Sequence, residues 1–321
     1  MRSMRTILAA AAIGLAVGLA VGSAASAAET LRVGKAVGGA FSFVPLDIGM
    51  RQGLFKQNGI EIDEIRFAGD AKLQQAMAAD SIDIALGSGP GMAFIVKGSP
   101  VKAAAAMAGP PLLLMLVVRP DGPKTAADLK GKKVSVSTVG SLTYWLVSET
   151  SRQQGWGPDG ITIVPMGDAP PQIAALMRGD IDGAVIDIST ALDLERQGKA
   201  RILMRFGDIV KDFHIHVIFA TNKLIASKPD ALRGFLKGWF ETIAFMRANK
   251  AETIAIAAQV MNKDADITSR TYDELMPMFS DDGRFNPKAL DTLAKSYVAL
   301  KLLPSEPDMS ELYTEAFLPK E

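Results

Sequence analysis

The feature that most limits this chain is that its first two hundred or so residues come close to repeating themselves. At a constant offset of 101 residues, Val33 falls on Val134, Gly39 on Gly140, Ser42 on Thr143, Phe43 on Tyr144, Arg51 on Arg152 and Gln52 on Gln153. Each copy continues with a glycine and an aromatic, Gly53 to Phe55 and Gly155-Trp156, and then with Gly59-Ile60-Glu61-Ile62 over Gly160-Ile161-Thr162-Ile163. Further on, "MAADSIDIA" from Met77 lies over "MRGDIDGA" from Met177, one residue shorter. Any two strand–helix–strand units can share glycine and apolar spacing by chance, but a register held over roughly 50 residues is harder to obtain that way. A period this long is not a solenoid's. It predicts two similar lobes facing each other.

Within each copy, short apolar runs alternate with helical periodicity from Leu31 to about Phe206, the pattern of an α/β chain built around largely parallel sheets. Helices dominate from Pro229 onward. The apolar stretch Ala103 to Val118 is broken by Gly109-Pro110-Pro111, so it predicts two buried strands around a turn and not a membrane helix. With 48% hydrophobic residues in 321, the chain can bury one large core or two moderate ones, and the repeat favours two.

At the start of the chain Arg2 and Arg5 precede the apolar run Ile7 to Val21 and the small residues Ala25-Ser26-Ala27. That order is the one of a secretory signal peptide, with cleavage expected after Ala27 or Ala28 and a soluble mature protein. The run is shorter than the roughly 20 residues of a spanning helix. Beyond the leader, 33 basic and 35 acidic residues remain, a formal charge of −2, which attracts neither nucleic acid nor an anionic membrane. Cysteine is absent and there are two histidines, so neither a disulfide framework nor the Cys/His zinc frameworks are available.

In open parallel sheets ligands bind beyond the carboxyl ends of strands, where loops meet helix N-termini. "SVSTVGSLTYW", residues 135–145, is such a corner: a strand, a turn, then a helix from about Leu142. Free N–H groups in the first helical turn, the close approach allowed by Gly140, and the hydroxyls of Thr138, Ser141 and Thr143 suit an oxyanion. Capping alone also explains Ser141. Its counterpart, Gly38 to Phe43, adds Ser42 and the aromatic faces of Phe41 and Phe43, which can cover a ligand's apolar body. Tyr144 belongs either to this surface or to the core, and Trp145 to the core. "VGGAFS" lacks the full dinucleotide fingerprint, and no phosphate-loop lysine motif occurs.

The repeated segments Asp80-Ser81-Ile82-Asp83 and Asp180-Ile181-Asp182 lead into two more loops, one with Ser88 and Gly89, the other with Asp187, which either receives a ligand amine or hydroxyl or caps a helix. Asp83 and Asp182 each precede a strand, on the wrong end of the sheet for the site, and read as structural turns or caps. Residues 213–219, "FHIHVIF", alternate as a strand, which puts His214 and His216 on one side. A contact of His214 with ligand is the functional reading, a satisfied buried histidine the commoner one; a metal there is not expected.

The segments "LDIGMRQGLFKQNGIEI" (46–62), "MAADSIDIALGSGPGMAFIVKGSPVK" (77–102), "DLKGKKVSVSTVGS" (128–141) and "LMRGDIDGAVID" (176–187), with the helical tail, resemble the periplasmic substrate-binding proteins of ABC importers of the nitrate/sulfonate/taurine, or NMT1-like, type. The resemblance implies a two-lobed, type II periplasmic binding-protein fold with two crossover connections and a ligand cleft. Arg119-Pro120-Asp121-Gly122 suits the first crossing and the strand from His214 to Thr221 the second. The division is then 1–28 leader, 29–118 and 219–321 lobe one, and 119–218 lobe two. The resemblance further implies a monomer without cofactor or metal, which delivers a small organic anion to a membrane permease and its ATPase. The candidate loops hold no arginine apart from Arg119, so a pyrimidine or other flat organic solute stays open, as does a sensing role. Thiamin-pyrimidine synthases resemble the same fold group, but their cysteine-rich signature has no counterpart here.

Overall fold

The computed structural model describes residues 28–112, 114–157 and 159–320. The signal-peptide reading of residues 1–28 falls almost wholly outside the described residues. Ten strands form two five-stranded mixed sheets. The first contains β1 (Glu29–Lys35), β2 (Ile60–Arg66), β3 (Ile84–Ser88) and β4 (Val101–Ala108), the second β5 (Leu114–Val118), β6 (Lys133–Val136), β7 (Thr162–Pro165), β8 (Gly183–Asp187) and β9 (Arg201–Arg205). The last strand, β10 (His216–Thr221), returns to the first sheet. The orders are β2-β1-β3-β10-β4 and β7-β6-β8-β5-β9.

These orders are the same once β1, β2, β3, β4 and β10 are matched with β6, β7, β8, β9 and β5. In each sheet the first three are parallel and the fourth is antiparallel to both its neighbours. The sequence repeat is therefore a structural one, with each half lending one strand to the other's sheet. Its register is fixed by chemistry at the strand starts. Asp83 accepts the N–H of Arg32 through Oδ2 at 2.9 Å and donates its own N–H to the Arg32 carbonyl at 2.9 Å. Asp182 does the same with Lys133, at 2.9 and 2.8 Å. The pair are strand-start clamps, as their position in the sequence suggests.

The first crossing is corrected by the sheet pairing. β5 bonds to β8 and β9, so the chain leaves the first sheet after Ala108, through Gly109, Pro110 and Pro111. The Arg119–Gly122 turn lies wholly beyond it, inside the second half. Arg119 there donates to the carbonyls of Leu176 and Ile181, both at 2.9 Å. The return crossing spans residues 206–215, because β10 starts at His216 and not at His214.

β3 is buried along its whole length and β10 along all but its first residue, which requires cover on both faces. The helix Asp70–Ala78 supplies part of it over β3, and the 20-residue helix Pro229–Ala248 packs further out, on the helices Val44–Arg51 and Leu54–Gln57. Its apolar side carries Phe235 and Trp239, and Phe235 stacks on Phe55 at 5.2 Å. The helix Ala265–Leu275 lies between the halves. Lys263 and Asp264, which lead into it, pair with Asp193 (2.9 Å) and Arg196 of the second half, and its Glu274 meets Arg205 at 2.8 Å.

Candidate functional site: a cavity between the two sheets

A cavity of about 100 Å³ opens where the two sheets point their strand ends at each other. The carboxyl ends of β1, β3, β6 and β8 bring Ala36 and Val37, Ser88, Ser137 and Asp187 to its wall. β5 and β10 run antiparallel, so their amino ends arrive at the same place, with Leu114 beside Asp187 and His216 beside Ser88 in register. Both halves thus contribute equivalent strand ends, the arrangement expected where loops and helix N-termini meet a ligand. The space suits a small solute and not a polymer.

Of the residues singled out from sequence, the structure brings Phe41, Ser42, Phe43, Ser88, Thr143 and Asp187 together in the lining. Phe41 and Phe43 are fully buried. Asp187 also caps its helix, accepting the Thr190 N–H at 3.1 Å and the Ser189 hydroxyl.

The others stand away from the cavity, each for a local reason. Ser141 is turned into its own corner. Its hydroxyl lies 3.0 Å from those of Ser137 and Thr143 and accepts the Tyr144 N–H at 3.2 Å, so it is a cap. Gly140 has a positive φ of 76° and faces Leu302, which makes it a turn residue. Tyr144 packs against the core from a half-buried position. Thr138 spans the cleft beside the cavity: its side chain lies where a Cβ on Gly69 would stand, at 2.4 Å, and receives the Ala71 N–H at 3.4 Å. Gly69, with φ of 113°, thus lets the two halves approach closely at this point. Gly89 is pressed against the return crossing, donating to the Ile215 carbonyl at 3.1 Å. His214 lies in that crossing, its Nε2 accepting the Asn286 N–H at 2.9 Å. It precedes β10, so the alternation that would put both histidines on one side does not reach it.

His216 is the histidine in the wall. Its ring lies 4.8 Å from that of Phe43, its Nδ1 is buried with no partner among the described residues, and burial pulls its pKa down to about 4. Asp70 was not visible from sequence either. It begins the helix Asp70–Ala78, is buried, and holds the Ser88 N–H through Oδ1 at 2.9 Å. Burial raises its pKa. Gln172 lines the wall and accepts the Ser135 hydroxyl at 2.8 Å. The sequence signal for Asp70 is a glycine-acid step before a helix, which is also the signal for an ordinary exposed helix start. Lys35, by contrast, is buried but committed to Asp47 at 2.7 Å and Glu64 at 2.8 Å. Among the described residues no group of three or more His, Cys, Asp or Glu is placed to hold a metal ion, and no helix is long and apolar enough to cross a membrane.

The chain is 30% identical over 147 residues to the taurine-binding periplasmic protein of Escherichia coli, covering 45% of this chain and 44% of that one. It superposes on the alkanesulfonate-binding protein of Xanthomonas axonopodis pv. citri, solved with MOPS bound, with a TM-score of 0.78 at 19% identity, over 89% and 98% of the two chains. The desulfurization enzyme DszB shares the fold as well, with a TM-score of 0.64 at 16% identity, over 90% and 97%. At these identities the structural likenesses are likenesses of fold, the two-lobed periplasmic binding-protein architecture. A family model described as NMT1/THI5 like matches residues 40–253, two thirds of the chain, and the chain belongs to that family.

Proposed function

We propose that this chain is the soluble solute-binding component of an ABC importer, which takes a small organic anion into the cavity between its lobes and presents the closed form to a membrane permease. One observation carries the reading: equivalent strand ends from two matched sheets wall a single small cavity. Among the described residues two connections, one leaving β4 after Ala108 and one over residues 206–215, pass between the sheets, which suits opening and closing. A solute that touches both halves binds the closed form better than the open one, and that difference is what shifts the population. The lobes are then residues 28–108 with 216–321, and 114–205. Phe41, Ser42, Phe43, Ser88, Thr143 and Asp187 are the proposed contacts, joined by His216 and Asp70. The names of the relatives put sulfonates first among the anions. The protein works as a monomer in the periplasm after removal of its leader, and it binds without turnover.

The test is a thermal-shift panel on the mature chain, followed by calorimetry of the hits and product analysis of the bound compound. A solute at 100 times its Kd adds about 2.7 kcal/mol, a rise of several degrees. A saturable one-to-one hit recovered unchanged fits this reading. Conversion of the solute refutes the non-enzymatic part of it, and a panel of small organic solutes without a hit refutes the binding role.

A further inference from the structure

Opposite charges meet between the two halves at three places, all of them on the helix Ala265–Leu275 or the two residues before it. Lys263 pairs with Asp193 at 2.9 Å, Asp264 with Arg196, and Glu274 with Arg205 at 2.8 Å. The first half supplies one cation and two acids, the second one acid and two cations, so the signs match pair by pair with no third charge needed. The helix is tied to its own half. Tyr272 donates its hydroxyl to the Met246 carbonyl at 2.8 Å and stands edge-on to Phe41 at 6.3 Å, and Asp273 pairs with Lys250. On its other side the helix packs on the second-half helix Ile188–Arg196.

The end of this helix, Leu275, lines the cavity, while none of the six paired residues does. One rigid element therefore joins a wall of the cavity to a charged contact that a solute in the cavity does not reach. The pairs are reversible ones. Lys263 and Asp193 are sheltered, 17% and 18% exposed, but the other two pairs are open enough for salt to screen them. Opening also leaves Arg196 a partner on its own helix, Asp193 at 2.9 Å, so the closed form is favoured without being locked.

A solute closes the lobes only through its better fit to the closed form. Resting on the opening and closing proposed above, we infer that the helix Ala265–Leu275 is an ionic latch: its three pairs hold the lobes together with the cavity empty, so part of the solute-free protein is already closed and ionic strength sets how much. Affinity for any solute then scales with that fraction, whatever charge the solute carries.

The test needs no solute. The chain has no cysteine, so Lys237→Cys in the first half and Gln154→Cys in the second, both exposed, take a dye pair, and single-molecule energy transfer reads the lobe separation in protein dialysed free of co-purified solute. Two populations are expected at low salt, with the closed-to-open ratio falling as NaCl is raised to about 1 M, where the screening length is about 3 Å. Combining Lys263→Gln, Asp264→Asn and Glu274→Gln should lower the ratio at low salt by about threefold or more, from about 1.4- to fivefold per pair. Asp264→Asn keeps the cap that Asp264 gives the Ile267 N–H. Glu274→Arg alone should lower the ratio, and adding Arg205→Glu should restore it, which a merely structural role would not do. Circular dichroism checks that each variant is folded. A ratio indifferent to the triple variant overturns the latch, whether the molecules are all open, all closed or mixed. The solute-binding role stands or falls separately, on the solute panel.

Discussion

Lowering the pH from 7 to 5 should cost this fold about 2 kcal/mol through His214 alone. The side chain is 4% exposed in the return crossing, and its Nε2 must be unprotonated to accept the Asn286 N–H at 2.9 Å. Burial pulls its pKa from 6.5 down to about 4. A group depressed in this way stays neutral in the native state while the unfolded chain takes up its proton. The stability tied to the neutral form is therefore whole above pH 6.5 and is lost between there and about pH 4. At pH 5 the unfolded imidazole is about 1.5 units below its pKa, and at about 1.4 kcal/mol per unit the loss is about 2 kcal/mol. His216 contributes with the same sign. Asp70 and Asp168 act against it, since burial raises their pKa values and the native state takes up those protons first. The raw pH slope thus mixes opposing groups, and the assay is a difference. Urea unfolding of the mature protein and of His214→Gln, which offers an oxygen to the Asn286 N–H, is measured at pH 7 and pH 5. Wild type should lose about 2 kcal/mol more than the variant. Equal losses would mean that His214 titrates alike folded and unfolded, and would refute the argument from burial.

Three further perturbations follow from the packing. Gly89→Ala puts a Cβ 2.1 Å from the backbone carbonyl of His214 and 2.9 Å from Leu293, so β3 and the return crossing must separate; urea unfolding should register a loss of about 1–3 kcal/mol. Asp83→Ala should cost more than Asp182→Ala, about 2 against about 1 kcal/mol. Both clamps hold a backbone N–H, but Asp83 also holds the Arg32 guanidinium, at 2.7 and 3.0 Å. Equal costs would remove that ion pair from the account. Lys263→Ala opens the bridge to Asp193 on the far side of the cleft and should weaken solute binding by about 1.4- to fivefold, in line with about 0.2–1 kcal/mol for a partly exposed pair. Calorimetry with any confirmed solute measures it, and an unchanged Kd would show that the pair does not favour closure.

The duplication was legible because its marks are local. Clamp acids, strand-start registers and helix-start glycines recur at fixed spacing, and the fold uses them in the same way twice. The strand exchange was not legible in its details. Gly109-Pro110-Pro111 was read correctly as a break between two buried strands, but the same break serves a hairpin or a passage to another sheet, and only the partners of β5 decide between them. The candidate site divides along the same line. Phe41, Phe43, Thr143 and Asp187 follow from the rule that strand ends and helix starts face the ligand. The alternation over 213–219 puts both histidines on one side, but β10 begins only at His216 and leaves His214 in the crossing; Asp70 gains its meaning from burial against β3, which no local pattern records.

The two halves also differ where they are most alike, and that difference bears on what they bind. At matched positions the first half presents Phe43 where the second has Tyr144, Ser88 where the second has Asp187, and His216 where the second has Leu114. Phe43 and His216 put two rings on one side, 4.8 Å apart and tilted by 56° to each other. The opposite side carries the hydroxyl of Thr143 and the open N–H groups of Leu142 and Thr143. A cavity built by duplication starts with a twofold axis and would suit a symmetric ligand. Each of these exchanges removes that symmetry, giving an aromatic side and a donor-rich side, and each half adds one carboxyl group to the lining. The asymmetry therefore distinguishes the two sides of the cavity, which a matched pair of lobes would leave alike.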